Sequence, residues 1–198
     1  LGEQSLYANT TGGNNNALGV YSLYTNTYGG GNNALGYRSL GSNTTGNNNN
    51  ALGEQSLYYS QTGSNNIAIG RQAGGYGNGS TFTGADYNVL LGYEAGYKIT
   101  DNSDKNVMIG YQAGYNETGS NRLYISNSNA DFPLIYGEFD NNILAINGDV
   151  GIGTTGPDRI LEVSEDAVKM RVTDSKVGTN DNGTSDYGEV YSTIEFGT

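Results

Sequence analysis

The chain has 198 residues, of which 32 are Gly and 27 are Asn; hydrophobic residues make up 35% and charged residues 15%. That hydrophobic share, set against ~45–50% for an ordinary globular domain, excludes a large aliphatic core, and the Gly and Asn content excludes a helical bundle. The absence of Cys and His removes disulfides, thiolate chemistry and imidazole bases or ligands, and the net charge of −11 argues against nucleic acid or anionic lipid as partner.

Residues 1–79 are electrically balanced by Glu3, Glu54, Arg38 and Arg71, so the whole acidic surplus falls in 80–198 and reads as solvated surface. No run of 18 apolar residues occurs, so no membrane-inserted helix is expected. The first residue is Leu1 rather than Met, which reads as a segment of a longer protein.

From the first residue onward the chain repeats. Ala17-Leu18-Gly19, Ala34-Leu35-Gly36, Ala51-Leu52-Gly53, Ala68-Ile69-Gly70, Leu90-Leu91-Gly92 and Met108-Ile109-Gly110 are successive copies, and Leu1-Gly2 ends an earlier one. The key glycines at 2, 19, 36, 53 and 70 are 17 residues apart; the next intervals, to 92 and 110, are 22 and 18. The longer interval reads as a Gly/Ser/Thr-rich loop around residues 76–84. Three residues after each key glycine stands Ser5, Ser22, Ser39, Ser56, Ala73, Ala95 or Ala113. The following position holds Leu6, Leu23, Leu40 and Leu57, then Gly74, Gly96 and Gly114. Gly12, Gly29, Gly46 and Gly63 mark a second turn, and the Asn pairs 14–15, 32–33, 48–49 and 65–66 precede the copies that follow them.

A 17-residue unit is too short for a helix pair and suits one coil of a parallel β-solenoid, a β-roll or β-helix, with short strands between Gly/Asn corners. Residues 1–122 are therefore predicted to form an all-β solenoid of about seven coils. Stacking lets each coil's backbone pair with its neighbours, Gly and Asn supply positive φ at the corners, and aligned Asn side chains form amide ladders. Strands such as Asn88-Val-Leu-Leu and Asn106-Val-Met-Ile are apolar on both faces. One face fills the coil. The other, assigned to Ala17, Ala34, Ala51, Ala68, Leu90 and Met108, asks for a second partner, most simply another copy across a shared axis.

The run Asn-Asn-x-Ala-Leu-Gly-x-x-Ser-Leu-x-x-Asn-Thr-x-Gly resembles the head repeats of trimeric autotransporter adhesins, although those heads use a shorter repeat. Asn88 to Tyr97 and Asn106 to Tyr115 are more similar to the Asn-Val-x-Ile-Gly-Tyr-x-Ala-Gly-Tyr repeats of bacteriophage tail fibres. The segment from Asn141 to Val163, with Asn-Gly-Asp-Val-Gly-Ile-Gly-Thr-Thr-Gly-Pro at its centre, resembles a connector found in such fibres. The resemblance implies a homotrimer, a role as a structural segment of a viral tail fibre serving host attachment, and a place on the virion tail. Its implied partners are other tail-fibre or tail proteins and a host surface receptor, such as a glycan. A bacterial surface adhesin and a polysaccharide-degrading tailspike are the alternatives.

Beyond the repeats, residues 123–165 are expected as a short-strand trimeric connector with strands at 123–125, 133–136, 142–146 and 149–152. Residues 166–198 are expected as the truncated start of a C-terminal β domain. No catalytic constellation is visible, and no cofactor is called for. Asp101-Asn-Ser-Asp104 offers oxygen ligands for Ca²⁺ but lacks the fixed glutamate of an EF-hand, so no metal site is assigned. Tyrosine is the remaining candidate. Tyr7, Tyr24, Tyr58, Tyr97 and Tyr115 share one column and Tyr37, Tyr93 and Tyr111 another, either as stiffening ladders or as a sugar-binding face. Tyr76 and Phe82 in the inserted loop complete the candidate binding set.

Overall fold

The computed structural model describes residues 2–75, 84–130, 132–158 and 160–163. The candidate residues Tyr76 and Phe82, the inserted loop around them and the whole of 166–198 lie outside the described residues. The chain divides into two units, residues 1–150 and 151–198.

Each copy of the repeat places a three-residue strand just before its key glycine. The strands are β1 (Asn16–Leu18), β2 (Asn33–Leu35), β3 (Asn50–Leu52), β4 (Ile67–Ile69), β5 (Val89–Leu91) and β6 (Val107–Ile109). They pair in parallel and in sequence order, with Ala17 opposite Ala34, Ala34 opposite Ala51 and Ala51 opposite Ala68. The 22-residue interval is absorbed without a slip, because Ala68 still faces Leu90. A seventh strand, β7 (Arg122–Ile125), continues the parallel stack, with Tyr124 opposite Met108. Two antiparallel strands, β8 (Ile135–Glu138) and β9 (Ile143–Ile146), extend the same sheet. Seven parallel strands bound six complete turns of the solenoid, and residues 2–15 add most of another, close to the about seven coils expected. At the boundary of the two units, β10 (Val150–Ile152) pairs with β11 (Leu161–Val163) in a separate two-stranded sheet. Among the described residues there is no helix.

The key glycine is required by geometry. Gly36 has φ +137, and a Cβ there would sit 2.5 Å from the carbonyl oxygen of Gly53 in the next coil. Only a residue without a side chain lets successive coils approach that closely. Two and four residues later the chain again enters the left-handed region, here with ordinary side chains: Arg38 (φ 55) and Leu40 (φ 49), or Gln55 (φ 57) and Leu57 (φ 49). Asn14, Asn48 and Asn65 take φ of 56–61 as expected of corner residues, but the strain is shared with Leu, Gln and Arg. A left-handed Leu costs roughly 1–2 kcal/mol. Burying its side chain contributes about 1.5–3 kcal/mol and offsets that strain.

That turn also decides which strand face is inside, and it overturns one expectation. Leu23, Leu40 and Leu57 are turned inward and fully buried, and they already occupy much of the coil's narrow interior. The strand residue that shares this space must be small. The Ala column is therefore the solenoid's own interior, with Ala34, Ala51 and Ala68 at 0% exposure, and not a surface awaiting a partner. The residues on either side of Ala point outward: Leu18, Leu35, Leu52, Ile69, Leu91 and Ile109 in one column, Ile67, Val89 and Val107 in the other. Leu18 is 57% exposed and Ile69 43%.

Later coils fill the same interior the opposite way. Leu90 and Met108 replace Ala on the strand, and Gly74, Gly96 and Gly114 replace Leu at the turn. A Cβ on Gly96 would lie 2.7 Å from Leu90 Cδ2 and 3.0 Å from Met108 Sδ. Ile99 joins this part of the core, at the position where earlier coils carry Asn9, Asn26 and Asn43. Tyr124 packs against the last of it.

Buried amides supply the rest of the cohesion. The Asn four residues before each key glycine forms a ladder: the backbone N–H groups of Asn32, Asn49, Asn66, Asn88 and Asn106 donate to the side-chain oxygens of Asn15, Asn32, Asn49, Asn66 and Asn88 at 2.9–3.0 Å. Their Nδ2 groups reach corner carbonyls such as Gly46, Gly63 and Ala85. A second ladder runs through Asn9, Asn26 and Asn43 at 2.7 Å per rung. One coil buries about one Leu, far too little to offset the ~1–2 kcal/mol per residue of backbone entropy lost on ordering 17 residues. The ladders form only between coils, so order is a property of the stack.

Candidate functional site: a tyrosine and arginine face

The side chains five residues after each key glycine form one surface column: Tyr7, Tyr24, Gly41, Tyr58, Gly75, Tyr97 and Tyr115. Cross-coil backbone bonds hold this surface in register, with Tyr21 N–H donating to Glu3 at 3.0 Å, Arg38 N–H to Val20 at 2.9 Å and Gln55 N–H to Tyr37 at 2.8 Å. Tyr7 and Tyr24 stack with centroids 5.4 Å apart and planes at 16°. Tyr97 and Tyr115 stack at 4.9 Å and 20°. The two glycines break the column, so the predicted residues fall into separate groups.

Around Gly41 the gap is bordered by aromatic rings. A Cβ at Gly41 would fall 2.7 Å from the Tyr58 ring, so Gly41 is what allows Tyr58 to lie there. Tyr21 meets Tyr24 edge-on at 5.4 Å and Tyr37 at 6.3 Å. Arg38 extends over three rings, 5.1 Å from the centroid of Tyr37 and 5.7 Å from those of Tyr21 and Tyr58. The result is a cavity of about 390 Å³ lined by Gln4, Tyr21, Tyr24, Thr25, Arg38, Gly41, Ser42 and Tyr58. The structure thus gathers Tyr24 and Tyr58 at one site, with Tyr7 stacked on Tyr24 outside its lining. Tyr37 belongs to the second tyrosine column named from the sequence, whereas Tyr21 and Arg38 stand in neither column. The signal for these two was the position two after the key glycine, where Gln4, Gln55, Gln72 and Gln112 make Tyr21, Arg38 and Glu94 the exceptions.

The second group is smaller. Lys98 Nζ lies 5.3 Å from the Tyr115 centroid and donates to Asn116 Oδ1 at 2.9 Å. Tyr93 and Tyr111, in the neighbouring column, stack at 5.2 Å and 9°, and Arg71 donates to the Tyr93 hydroxyl at 3.2 Å. Arg71 is also paired with Glu54 at 3.6 Å.

The acids near Asp101 are used by the backbone. Asp104 Oδ1 accepts the N–H of Asp86 at 2.8 Å, Asp86 Oδ1 that of Ser64 at 2.7 Å, and Asp101 Oδ1 that of Gly84 at 3.2 Å. Asp86 and Asp104 continue a corner ladder that Asn47 and Ser64 begin. Among the described residues no group of three acids is placed to hold a metal ion.

One charged cluster closes the solenoid. The Tyr124 hydroxyl donates to Glu117 at 2.7 Å and the Tyr136 hydroxyl to Glu138 at 2.6 Å, while Arg122 lies 3.7 Å from Glu138 and 3.3 Å from Asp140. Burial, then the bond to Glu138, push the Tyr136 phenol up to about 12; burial and Glu117 raise Tyr124 still further. Both phenols stay protonated through the neutral range. They act as donors tying β7 and β8 to the core end and have no capacity as bases there.

No family model matches the chain, and no curated protein or solved structure is similar to it. Among the described residues no helix is long and apolar enough to cross a membrane.

Proposed function

We propose that this chain is a structural segment of a phage tail fibre, a homotrimeric shaft that serves host-cell attachment. The observation that carries this reading is the outward column Leu18, Leu35, Leu52, Ile69, Leu91 and Ile109, widened by Ile67, Val89 and Val107. It runs the length of the parallel stack and contains no charged residue. A continuous apolar strip of this kind marks an interaction surface. A second copy is the fitting occupant. It offers the same residues at the same coil spacing, and an uncharged contact avoids the repulsion that a chain of net charge −11 would otherwise meet. The trimer axis is placed along this strip instead of along the Ala column. The repeats resembling fibre sequences, and interior ladders that give rigidity but no chemistry, support the same reading. In it the segment joins other tail proteins, sits on the virion tail and has no catalytic role.

Sedimentation equilibrium tests it. A mass three times the 20.9 kDa of the chain is expected, with Leu35→Glu reducing it to one chain that keeps its β-sheet spectrum. A folded wild-type monomer overturns the proposal.

A further inference from the structure

We propose that the cavity at Gly41 is a binding subsite for an acidic saccharide, a pyranose bearing a carboxylate, with Arg38 as its anion-recognising group. The inference rests on the attachment reading and names the ligand class for it.

Three observations converge on this site. Arg38 is the only cation in the first four coils besides Arg71, and Arg71 is taken by Glu54. Among the described residues no carboxylate forms an ion pair with Arg38. A guanidinium with no ion pair among the described residues is available to an external anion. The three rings around it supply the second observation. Cation–π contacts with Tyr21, Tyr37 and Tyr58 fix the long side chain without consuming its N–H donors, so the planar fork is pre-organised for a bidentate carboxylate. The third is the missing rung. Gly41 leaves the column without a ring of its own between Tyr24 and Tyr58, the Tyr58 ring leans over it, and the remaining cavity of about 390 Å³ lies within the ~300–1,000 Å³ usual for small-molecule sites. A sugar ring placed there meets the Tyr24 and Tyr58 rings with its apolar face. Gln4, Thr25 and Ser42 stand at the rim for its hydroxyls.

The test uses the full chain and three probes: trigalacturonate, the neutral trisaccharide maltotriose and free acetate, titrated by calorimetry. Trigalacturonate is expected to bind at least tenfold more tightly than maltotriose, with acetate weaker than either. Arg38→Gln is expected to reduce trigalacturonate affinity at least tenfold and so to abolish its preference over maltotriose. Gln occupies this position in four other coils, so the variant fits the backbone there. Arg38→Lys restores charge without the fork and is expected to fall between the two. Equal affinity for both trisaccharides, or wild-type affinity in Arg38→Gln, overturns the subsite. Sedimentation of the same samples keeps the two proposals separate: a trimer that ignores trigalacturonate refutes the subsite alone, whereas a monomer refutes the fibre reading.

Discussion

Asn49 shows what a single side chain contributes in this fold. It donates to Asn32 Oδ1 and to the Gly63 carbonyl, and its own oxygen accepts both the backbone N–H and the Nδ2 of Asn66. Removing it leaves the Asn66 N–H without that partner inside the wall. Asn49→Ala is therefore expected to destabilise the protein by about 2 kcal/mol or more, since an unsatisfied buried donor alone costs about 1–3 kcal/mol. Asn16 makes a similar 2.7 Å bond to Asn33 on the exposed face, where water replaces what is lost. Asn16→Ala is expected to shift stability by no more than about 0.5 kcal/mol. Guanidinium denaturation of both variants checks the contrast. Comparable losses would show that the buried ladder is no stronger than the exposed one.

At the scale of elements, the exchange of volume between strand and turn is the governing device. Ala51 and Leu57 are buried in the same core from one coil, whereas Leu90 is matched with Gly74 and Gly96 further on. Ala51→Leu overfills the interior, at about 1–3 kcal/mol. Leu57→Gly empties it, at about 2–5 kcal/mol. The double variant rebuilds the later pattern and is expected to recover about 1 kcal/mol or more relative to the sum of the two. A double-mutant cycle with additive losses would mean that the two positions do not share one space.

The antiparallel extension β7–β9 carries its own pH signature. Folding raises the Tyr136 phenol from 10.0 to about 12, so the folded state favours its protonated form. That stabilisation is fully present below pH 10 and is lost as the pH rises through about 12. Glu138 behaves oppositely: the hydrogen bonds from Tyr136 and then Asn141 hold its carboxyl below the usual 4.5. Its contribution is present above that value and fades as the pH falls beneath it. Ultraviolet titration is expected to show a phenol ionising near pH 12 that disappears in Tyr136→Phe. An unchanged titration curve in that variant would refute the assignment.

For the whole molecule, a stack of nearly identical coils predicts tolerance to loss of a whole period and intolerance to any other deletion. Deleting residues 20–36 removes 17 residues and joins Gly19 to Tyr37 with every column aligned. The product is expected to fold, with a lower denaturation midpoint because one inter-coil interface is gone. Deleting residues 20–35 shifts all later columns by one and is expected to abolish the cooperative transition. Circular dichroism during denaturation distinguishes the two. Equal behaviour would show that register is not what the repeat encodes.

That register was legible from the sequence by itself, because a stacked backbone demands the same residue at the same height in each coil. The positions of the key glycines, the Asn pairs and the Tyr columns follow from the 17-residue spacing, as does the parallel sheet they build. Which strand face is internal was decided only by the tertiary structure. The pattern Ala-Leu-Gly permits either orientation, and the outcome depends on a left-handed turn that aims Leu23, Leu40 and Leu57 inward and leaves room for nothing larger than Ala. The grouping of Tyr21, Tyr37 and Arg38 with Tyr58 belongs to the same class. These four side chains come from three columns and three coils, and only the three-dimensional path of the turn brings their ends to one place.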